Sequence, residues 1–233
     1  MGSPVYIQIH NEIKRKIEAG KWAVGDRIPS ERELAVQFNV SRMTLRQAIQ
    51  TLVDEGILER FVGSGTFVAN QKVQEKMSGV TGFSDVMLAQ GKQPSSKTIS
   101  YHMMSPSLSE AEKLKLKDGD QVLRMERVRY GDDVPISFEV ATIPASIIEG
   151  LSKPEVTDSL YRALETKRNL QPGRAKQNVS ASLASERVAE LLDIKRGDAI
   201  LRLRQVSYLQ DGQPFEYVRT QYVGERFEFY LEK

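Results

Sequence analysis

Two arginines that stand one residue apart, Arg127 and Arg129, lie in an alternating run that predicts a β-strand. Side chains two positions apart on a strand project from the same face, so both guanidinium groups can bind one phosphate or carboxylate. A glycine-rich turn at residues 79–84 leads into a predicted helix, Ser84–Gln90, and the N–H groups at a helix start also bind anions. A surface ladder of arginines and an ordinary helix cap are the alternative interpretations. We favour a ligand site because these features coincide in one domain.

The segment after Ser41 carries a second group of side chains suited to recognition. Ser41 is a predicted helix N-cap, and the apolar residues that then recur at helical spacing are Leu45, Ala48, Ile49 and Leu52. That spacing exposes the side chains of Arg42, Met43, Thr44, Arg46, Gln47 and Gln50. Arginine pairs with guanine, glutamine with adenine and a methyl group with thymine, so this face can read a DNA major groove. A solvated face of an ordinary helix is the alternative.

The elements around that helix favour DNA recognition. A shorter helix is predicted to begin just before it, at a capping box formed by Ser30 and Glu33. Two strand candidates follow it, Ile57–Phe61 and Thr66–Val68, and an amphipathic helix comes first in the chain. Three helices followed by a two-strand hairpin are the outline of a winged helix-turn-helix.

The C-terminal part of the chain contains an internal repeat. Residues 117–124 match residues 195–202, including a Gly-Asp pair in each copy. Each copy follows a predicted helix and precedes two strand candidates, which indicates two related halves that share one antiparallel sheet, with a cleft between them. Glu139 and Glu216 belong to the second strands of the two halves and could accept hydrogen bonds from sugar hydroxyls.

Composition excludes several classes of function. The 33 basic and 31 acidic residues leave a net charge of +2, which excludes a bulk polycation that coats nucleic acid. The absence of cysteine excludes a disulfide scaffold, a thiolate zinc site and a cysteine nucleophile, and two histidines leave little for histidine chemistry. No apolar run approaches the ~18 residues of a membrane span. We expect a cytoplasmic protein with no catalytic residues, no cofactor and no metal.

Residues 5–69 resemble the DNA-binding domain of the GntR regulators. The motifs are Ile-Pro-Ser-Glu-Arg-Glu-Leu at 28–34, Val-Ser-Arg-Met-Thr-Leu-Arg-Gln-Ala at 40–48 and Gly-Ser-Gly-Thr-Phe-Val at 63–68. The resemblance implies DNA binding by Arg32, Ser41, Arg42, Met43, Thr44, Arg46 and Gln47, with the wing residues Gly63, Ser64 and Gly65 near the minor groove. Family members often have a basic residue at position 62 or 64, so we expect this wing to bind phosphate less strongly.

Residues 80–230 resemble the effector domain of the HutC branch of these regulators, which shares its fold with chorismate lyase. The motifs occupy residues 79–84, 127–130, 134–139, 174–177 and 213–217. In sugar-phosphate-sensing relatives, the phosphate is held by the equivalents of Val80, Thr81, Gly82, Phe83, Ser84, Arg127 and Arg129. The sugar is surrounded by the equivalents of Glu139, Tyr161, Glu216 and Tyr222. The overall likeness is to the repressors of N-acetylglucosamine utilisation, which usually have a hydroxyl residue at position 82.

These observations predict an α+β chain with three parts. They are a winged helix-turn-helix DNA-binding domain at 1–69, a linker at 70–80 and a chorismate-lyase-like antiparallel-sheet effector and dimerisation domain (UTRA) at 81–233. The resemblance implies a repressor of sugar or amino-sugar utilisation that senses a sugar phosphate such as N-acetylglucosamine-6-phosphate or glucosamine-6-phosphate. Its expected partners are double-stranded operator DNA and a second copy of the chain. The alternatives are an enzyme of the chorismate-lyase-like fold, a DNA-architectural protein, and a HutC-type regulator that senses a non-sugar effector.

Overall fold

The computed structural model of the protein describes residues 3–69, 72–77 and 81–232. The chain divides into two compact units, Met1–Gln71 and Lys72–Lys233. The second unit therefore begins inside the segment 70–80 that the sequence predicts to be a linker.

The first unit contains three helices and a two-stranded hairpin. Its elements are α1 (Val5–Glu18), α2 (Glu31–Gln37), α3 (Arg42–Asp54), β1 (Leu58–Phe61) and β2 (Gly65–Val68). The predicted capping box is present, because Ser30 Oγ accepts from the Glu33 N–H and the Glu33 carboxylate accepts from the Ser30 N–H at 2.8 Å. The predicted apolar face of α3 is buried in the core with Leu34 of α2. The packing of α2 on α3 leaves the opposite face of α3 in solvent.

The second unit is built on a six-stranded antiparallel sheet. Its strands are β4 (Pro94–Met104), β5 (Val122–Gly131), β6 (Val134–Pro144), β7 (Pro172–Leu183), β8 (Ala199–Leu209) and β9 (Pro214–Val223), in the order β4-β5-β6-β9-β8-β7. Helix α5 (Leu108–Leu114) precedes β5 and helix α7 (Glu186–Leu192) precedes β8. The two halves indicated by the repeat thus meet at the central β6–β9 pair, and the predicted shared antiparallel sheet is confirmed.

Different helices cover the two faces of this sheet. Leu123 and Met125 of β5 pack against α6 (Lys153–Ala163), whereas Val128 packs against α7. Arg127 and Arg129 continue the odd-numbered series of Leu123 and Met125, so strand alternation directs them to the α6 face. Both arginines are buried there.

The segment predicted to be a linker contains a strand. Val73–Lys76 forms β3, which pairs in parallel with β10 (Phe227–Tyr230). Polar residues dominate this segment, so its sequence pattern predicts a linker. The strand is held by its backbone pairing with a distant segment and by Val73, which is buried in one cluster with Phe227. Linker residues 70, 71 and 78–80 lie outside the described residues.

The helix predicted at Ser84–Gln90 starts one residue earlier in the structure. It forms α4 (Phe83–Ala89), with Gly82 at the N-cap. Gly82 has no side chain to cap the helix, and its carbonyl accepts from the N–H groups of Asp85 and Val86. The turn before α4 includes residues 79 and 80, which are not among the described residues.

Candidate functional site

A pocket opens on the α6 face of the sheet in the second unit. The predicted effector residues that line it are Thr81, Gly82, Phe83, Ser84, Arg127, Arg129, Glu139, Tyr161, Glu216 and Tyr222. The remaining one, Val80, lies outside the described residues. The lining comes from α4, α6 and five strands, so the folded chain brings together motifs that are far apart in the sequence.

Arg129 is a buried cation in the lining of this pocket. It is 3% exposed, its Nη2 donates to Ser84 Oγ at 3.3 Å, and its guanidinium lies 4.5 Å from the centre of the Phe83 ring. Its Nε and Nη1 have no hydrogen-bond partner among the described residues. Burial, and then the charge of Arg127, lower the pKa of Arg129 to about 9, so it stays charged at neutral pH. A phosphate or carboxylate would satisfy these donors.

Arg127 differs from Arg129 because it has an acidic partner. Its Nε donates to Glu139 Oε1 at 2.6 Å, and its Nη1 donates to the carbonyl of Thr157 at 2.9 Å. Glu139 lies directly opposite Arg127 in the register of β5 and β6. Burial would raise the pKa of Glu139, but the charges of Arg127 and Arg129 lower it below its ordinary value. The two arginines are therefore inequivalent, since one is neutralised within the protein and the other is not.

A hydrogen-bonded network lies where α6 meets β8 and β9. Tyr161 Oη donates to Glu216 Oε2 at 2.8 Å and lies 3.1 Å from Ser207 Oγ, to which Gln205 Nε2 donates at 2.9 Å. Burial and the charge of Glu139 raise the pKa of Glu216 to about 7. These mixed donors and acceptors can bind the hydroxyl groups of a sugar.

Sequence reasoning missed Gln205 and Ser207, although the repeat contained the signal. In the second copy of the repeat they occupy the positions that Arg127 and Arg129 have in the first. At these two equivalent positions, the first half of the sheet therefore has charged side chains and the second half has neutral polar side chains.

Glu75 and Ser159 line the pocket as Gln205 does, and neither had a signal in the sequence. Glu75 belongs to β3, inside the predicted linker. Ser159 lies within α6 but has non-helical backbone angles, φ −156° and ψ 95°, so helical periodicity does not describe its direction. Finding either residue requires the tertiary structure.

The exposed face of α3 in the first unit carries the predicted base-reading side chains. The exposed ones are Arg42, Met43, Arg46 and Gln47, and Arg32 is exposed on α2. Thr44 is partly buried, and its Oγ1 lies 2.9 Å from the Oγ of Ser41. Ser41 also caps α3 by accepting from the Thr44 N–H at 3.1 Å. The contacts of Ser41 with Thr44 therefore stabilise the N-terminal turn of α3.

Glu31, the first residue of α2, bridges two arginines of this unit. Arg46 Nε donates to Glu31 Oε2 at 3.3 Å, and Arg60 Nη2 donates to Glu31 Oε1 at 2.8 Å. The Arg46 side chain is 61% exposed, so solvent screens its ion pair. Arg60, on β1, was not predicted, and it supplies the hairpin with a cation.

The hairpin turn requires glycine at two positions. Gly63 has φ +80° and Gly65 has φ +126°, both in the region that L side chains rarely adopt. A Cβ at Gly65 would lie 2.7 Å from Arg27 Nε. Ser64 between them is exposed, and its N–H donates to the Phe61 carbonyl at 3.0 Å. These residues form a tight, exposed tip.

Two family models match the chain. Residues 5–68 match the gntR family of bacterial regulatory proteins, and residues 89–228 match the UTRA domain. The chain belongs to the GntR family. This result confirms the predicted resemblance to GntR regulators with a HutC-type effector domain, and it confirms the predicted α+β fold class.

Individual relatives of this GntR regulator match over nearly its whole length. It is 34% identical over 226 residues to the HTH-type transcriptional repressor NagR of Bacillus subtilis, covering 97% of this chain and 93% of NagR. It is 30% identical over 211 residues to a probable fructoselysine utilization operon transcriptional repressor of Escherichia coli, covering 90% and 86%. The crystal structure of PhnF from Mycobacterium smegmatis superposes with a TM-score of 0.83 at 30% identity, covering 96% of this chain and 98% of PhnF.

Membership of this family decides between the broad classes of function. A GntR regulator binds operator DNA through its helix-turn-helix unit and a small-molecule effector through its UTRA domain. The prediction of a transcriptional regulator rather than an enzyme is confirmed. Among the described residues, none of the helices combines the length and the apolar character of a membrane span. The same residues contain no cluster of side chains suited to holding a metal ion.

Proposed function

We propose that this GntR regulator is a transcriptional repressor whose UTRA pocket binds a sugar phosphate, and that binding changes the affinity of the protein for operator DNA. The observation that carries the proposal is Arg129, whose two unpaired donors share a pocket with carboxyl, hydroxyl and amide groups. A ligand with one anionic end and one hydroxylated end matches this division. N-acetylglucosamine-6-phosphate and glucosamine-6-phosphate are the effectors we propose to test first.

Arg129 is proposed to be the main contact of the phosphate. Ser84 Oγ already lies at its guanidinium, and the backbone N–H of Ser84 has no acceptor among the described residues, so Ser84 can donate twice. Arg127 adds positive charge, and Val80, Thr81, Gly82 and Phe83 complete the proposed set. Helix α4 has only seven residues, so we expect the charge of Arg129 to contribute more than the helix dipole.

The remaining predicted residues are proposed to surround the sugar. They are Glu139, Tyr161, Glu216 and Tyr222. Burial raises the pKa of Glu216 to about 7, so this side chain can donate or accept according to the hydroxyl that faces it. The name of the Escherichia coli relative, a fructoselysine utilization repressor, supports a sugar derivative as the effector and repression as the mode of regulation.

The first unit is proposed to contact a near-palindromic operator as part of a homodimer in the cytoplasm. The proposed DNA-binding residues are Arg32, Ser41, Arg42, Met43, Thr44, Arg46, Gln47, Gly63, Ser64 and Gly65. One recognition helix covers only a few base pairs, and a two-fold axis doubles the site. Light scattering at micromolar concentration tests the dimer, and a monomer with full operator affinity would contradict it.

A thermal-shift screen of the full chain tests the effector. The panel contains glucosamine-6-phosphate, N-acetylglucosamine-6-phosphate, the same sugars without phosphate, and inorganic phosphate. A ligand at about 100 times its Kd stabilises the native state by about 2.7 kcal/mol, which raises the melting temperature. We expect a shift with the sugar phosphates that the unphosphorylated sugars do not produce. Positive ligands are then titrated against operator-bound protein, and a ligand that binds without changing operator affinity would contradict the proposed regulation.

A further inference from the structure

Strand β3, the first strand of the second unit, brings a carboxyl group into the effector pocket. The third residue of this strand is Glu75, which pairs with Phe229 of β10. Alternation along the strand places Val73 and Glu75 on one face and Gln74 on the other. Val73 is buried beside Tyr222 and Phe227, and Glu75 lines the pocket that Tyr222 also lines.

The position of Glu75 is fixed by hydrogen bonds on both edges of β3. One edge pairs with β10. On the other edge, the side chain of Gln90, at the end of α4, binds the backbone of Gln74. Gln90 Oε1 accepts from the Gln74 N–H and Gln90 Nε2 donates to the Gln74 carbonyl, both at 2.9 Å. The same Nε2 donates to the carbonyl of Val86 at 2.9 Å. Glu75 therefore enters the pocket from a backbone held in place by two other elements.

The carboxyl group of Glu75 lacks the kind of side-chain partner that the other two pocket carboxyl groups have. Glu139 is paired with Arg127, and Glu216 accepts from Tyr161. Glu75 has neither a hydrogen bond nor an ion pair with any residue in the described part of the chain, and burial raises its pKa to about 7. A partly buried carboxyl without a partner destabilises the free protein, and a donor on a ligand would remove that cost.

We propose that Glu75 is an effector-contacting residue, which accepts a hydrogen bond from a hydroxyl or an ammonium group of the bound effector. The inference rests on the proposed function, since it concerns the same pocket. It adds a contact from the first strand that follows the DNA-binding unit in the chain. An effector that holds Glu75 also acts on β3, so this contact links ligand binding to the segment that leads to the DNA-binding unit.

The test compares full-length Glu75→Ala and Glu75→Gln with the parent by isothermal titration of glucosamine-6-phosphate and N-acetylglucosamine-6-phosphate. Glu228→Gln is the matched control, because Glu228 lies on the paired strand β10 and accepts from Gln74 Nε2 at 2.6 Å instead of lining the pocket. We expect Glu75→Ala to bind the effector about tenfold more weakly or worse, and the control to bind like the parent. The melting temperature of ligand-free Glu75→Ala should equal or exceed that of the parent.

The two effectors and the glutamine variant identify the donor. If the donor is a hydroxyl, Glu75→Gln keeps an acceptor and loses less affinity than Glu75→Ala for both ligands. If the donor is an ammonium group, Glu75→Gln loses as much as Glu75→Ala for glucosamine-6-phosphate and little for the acetylated ligand. Either pattern supports the contact.

Different results overturn the contact and the proposed function. If the parent binds a sugar phosphate and both Glu75 variants bind it with the same affinity, the contact is wrong and the proposed function stands. A lowered melting temperature of the ligand-free variants with unchanged effector affinity would assign Glu75 a structural role and also overturn the contact. If the parent binds neither sugar phosphate, the proposed function fails, and this inference fails with it.

Discussion

The proposed recognition site of each unit contains an arginine, and the two arginines lie in opposite environments. Arg46 on α3 is 61% exposed and is paired with Glu31, which also pairs with Arg60. Arg129 on β5 is 3% exposed and has two donors without a partner in the described structure. Arg46 is exposed to solvent and its charge is balanced by a carboxylate. Arg129 is buried, and no carboxylate in the described structure pairs with it.

The difference matches the size and charge of the ligand that each unit is proposed to bind. DNA is a long polyanion, so many exposed cations can bind it together even if each contributes little. Binding also releases counterions from the DNA, which favours the complex. A small anion offers few contacts, so its site must supply a strong, desolvated charge held at a defined point. The buried charge destabilises the free protein, and a bound anion would remove that destabilisation. Breaking a contact should therefore have a larger effect in the pocket than on α3.

The largest effect is expected for Arg129→Ala. Losing a charge-assisted donor to a bound anion costs about 1.5–3 kcal/mol, or about 10- to 150-fold in affinity. The variant should keep its ligand-free operator affinity at sugar-phosphate concentrations that change the operator affinity of the parent. Titration of the ligand against operator-bound protein measures this, with Arg204→Ala, an exposed arginine on β8, as the matched control. An unchanged response would place the anion site elsewhere.

Arg46→Ala should reduce sequence discrimination by about 1–3 kcal/mol if Arg46 reads guanine. Two roles of Arg46, a base contact and a phosphate contact, can be separated by measuring affinity for operator DNA and for random DNA of the same length in the same buffer. A base contact weakens operator binding more than random binding. Equal losses on both DNAs would show that Arg46 contacts only phosphate.

Glu110 provides a pH test of buried charge in the second unit away from the pocket. It is 2% exposed and accepts from Arg124, Ser107 and Thr142. Burial opposes ionisation, but these hydrogen bonds outweigh it and lower the pKa of Glu110 to about 2. Because this is below the ordinary value of about 4.3, the stabilisation is present above that pH and is lost as the pH falls towards about 2.

We expect the free energy of unfolding to fall by about 2 kcal/mol. This is less than the full pKa shift would give, because solvent screens the partly exposed partner arginines. Urea unfolding followed by circular dichroism between about pH 5 and 2.5 measures it. Glu110→Gln should remove this part of the pH dependence. Trp22, the single tryptophan of the chain, lies in the first unit, so its fluorescence serves as an internal control. Parallel pH profiles of the parent and the variant would contradict the assignment.

The smallest effect is expected for Glu31→Gln, which releases Arg46 and Arg60 from their shared carboxylate. Exposed ion pairs contribute about 0.2–1 kcal/mol, so operator affinity should rise by less than about fivefold. The gain should shrink as salt is added, because screening already weakens the pairs. Fluorescence anisotropy at two salt concentrations measures both quantities. A loss of affinity would mean that Glu31 positions the arginines for DNA instead of competing with it.

Local sequence signals were sufficient for much of the fold. The capping box at Ser30 and Glu33 and the N-cap at Ser41 lie within four residues of the helices that they start, so spacing alone identifies them. The repeat predicted two halves of a shared sheet, because a copy of a sequence carries its local structure with it. The same reasoning failed for β3, whose pairing with β10 joins segments about 150 residues apart.

The sequence by itself therefore determined the helix-turn-helix unit, its exposed face and the duplicated antiparallel sheet, since these depend on periodicities and caps over a few residues. It also identified most of the residues that line the pocket, through motifs that the family shares. Only the tertiary structure decided that Glu139 neutralises Arg127 and leaves Arg129 unpaired, and that Glu75 reaches the same pocket. Strand register and burial decide these points, and both depend on which distant segments the folded chain brings side by side.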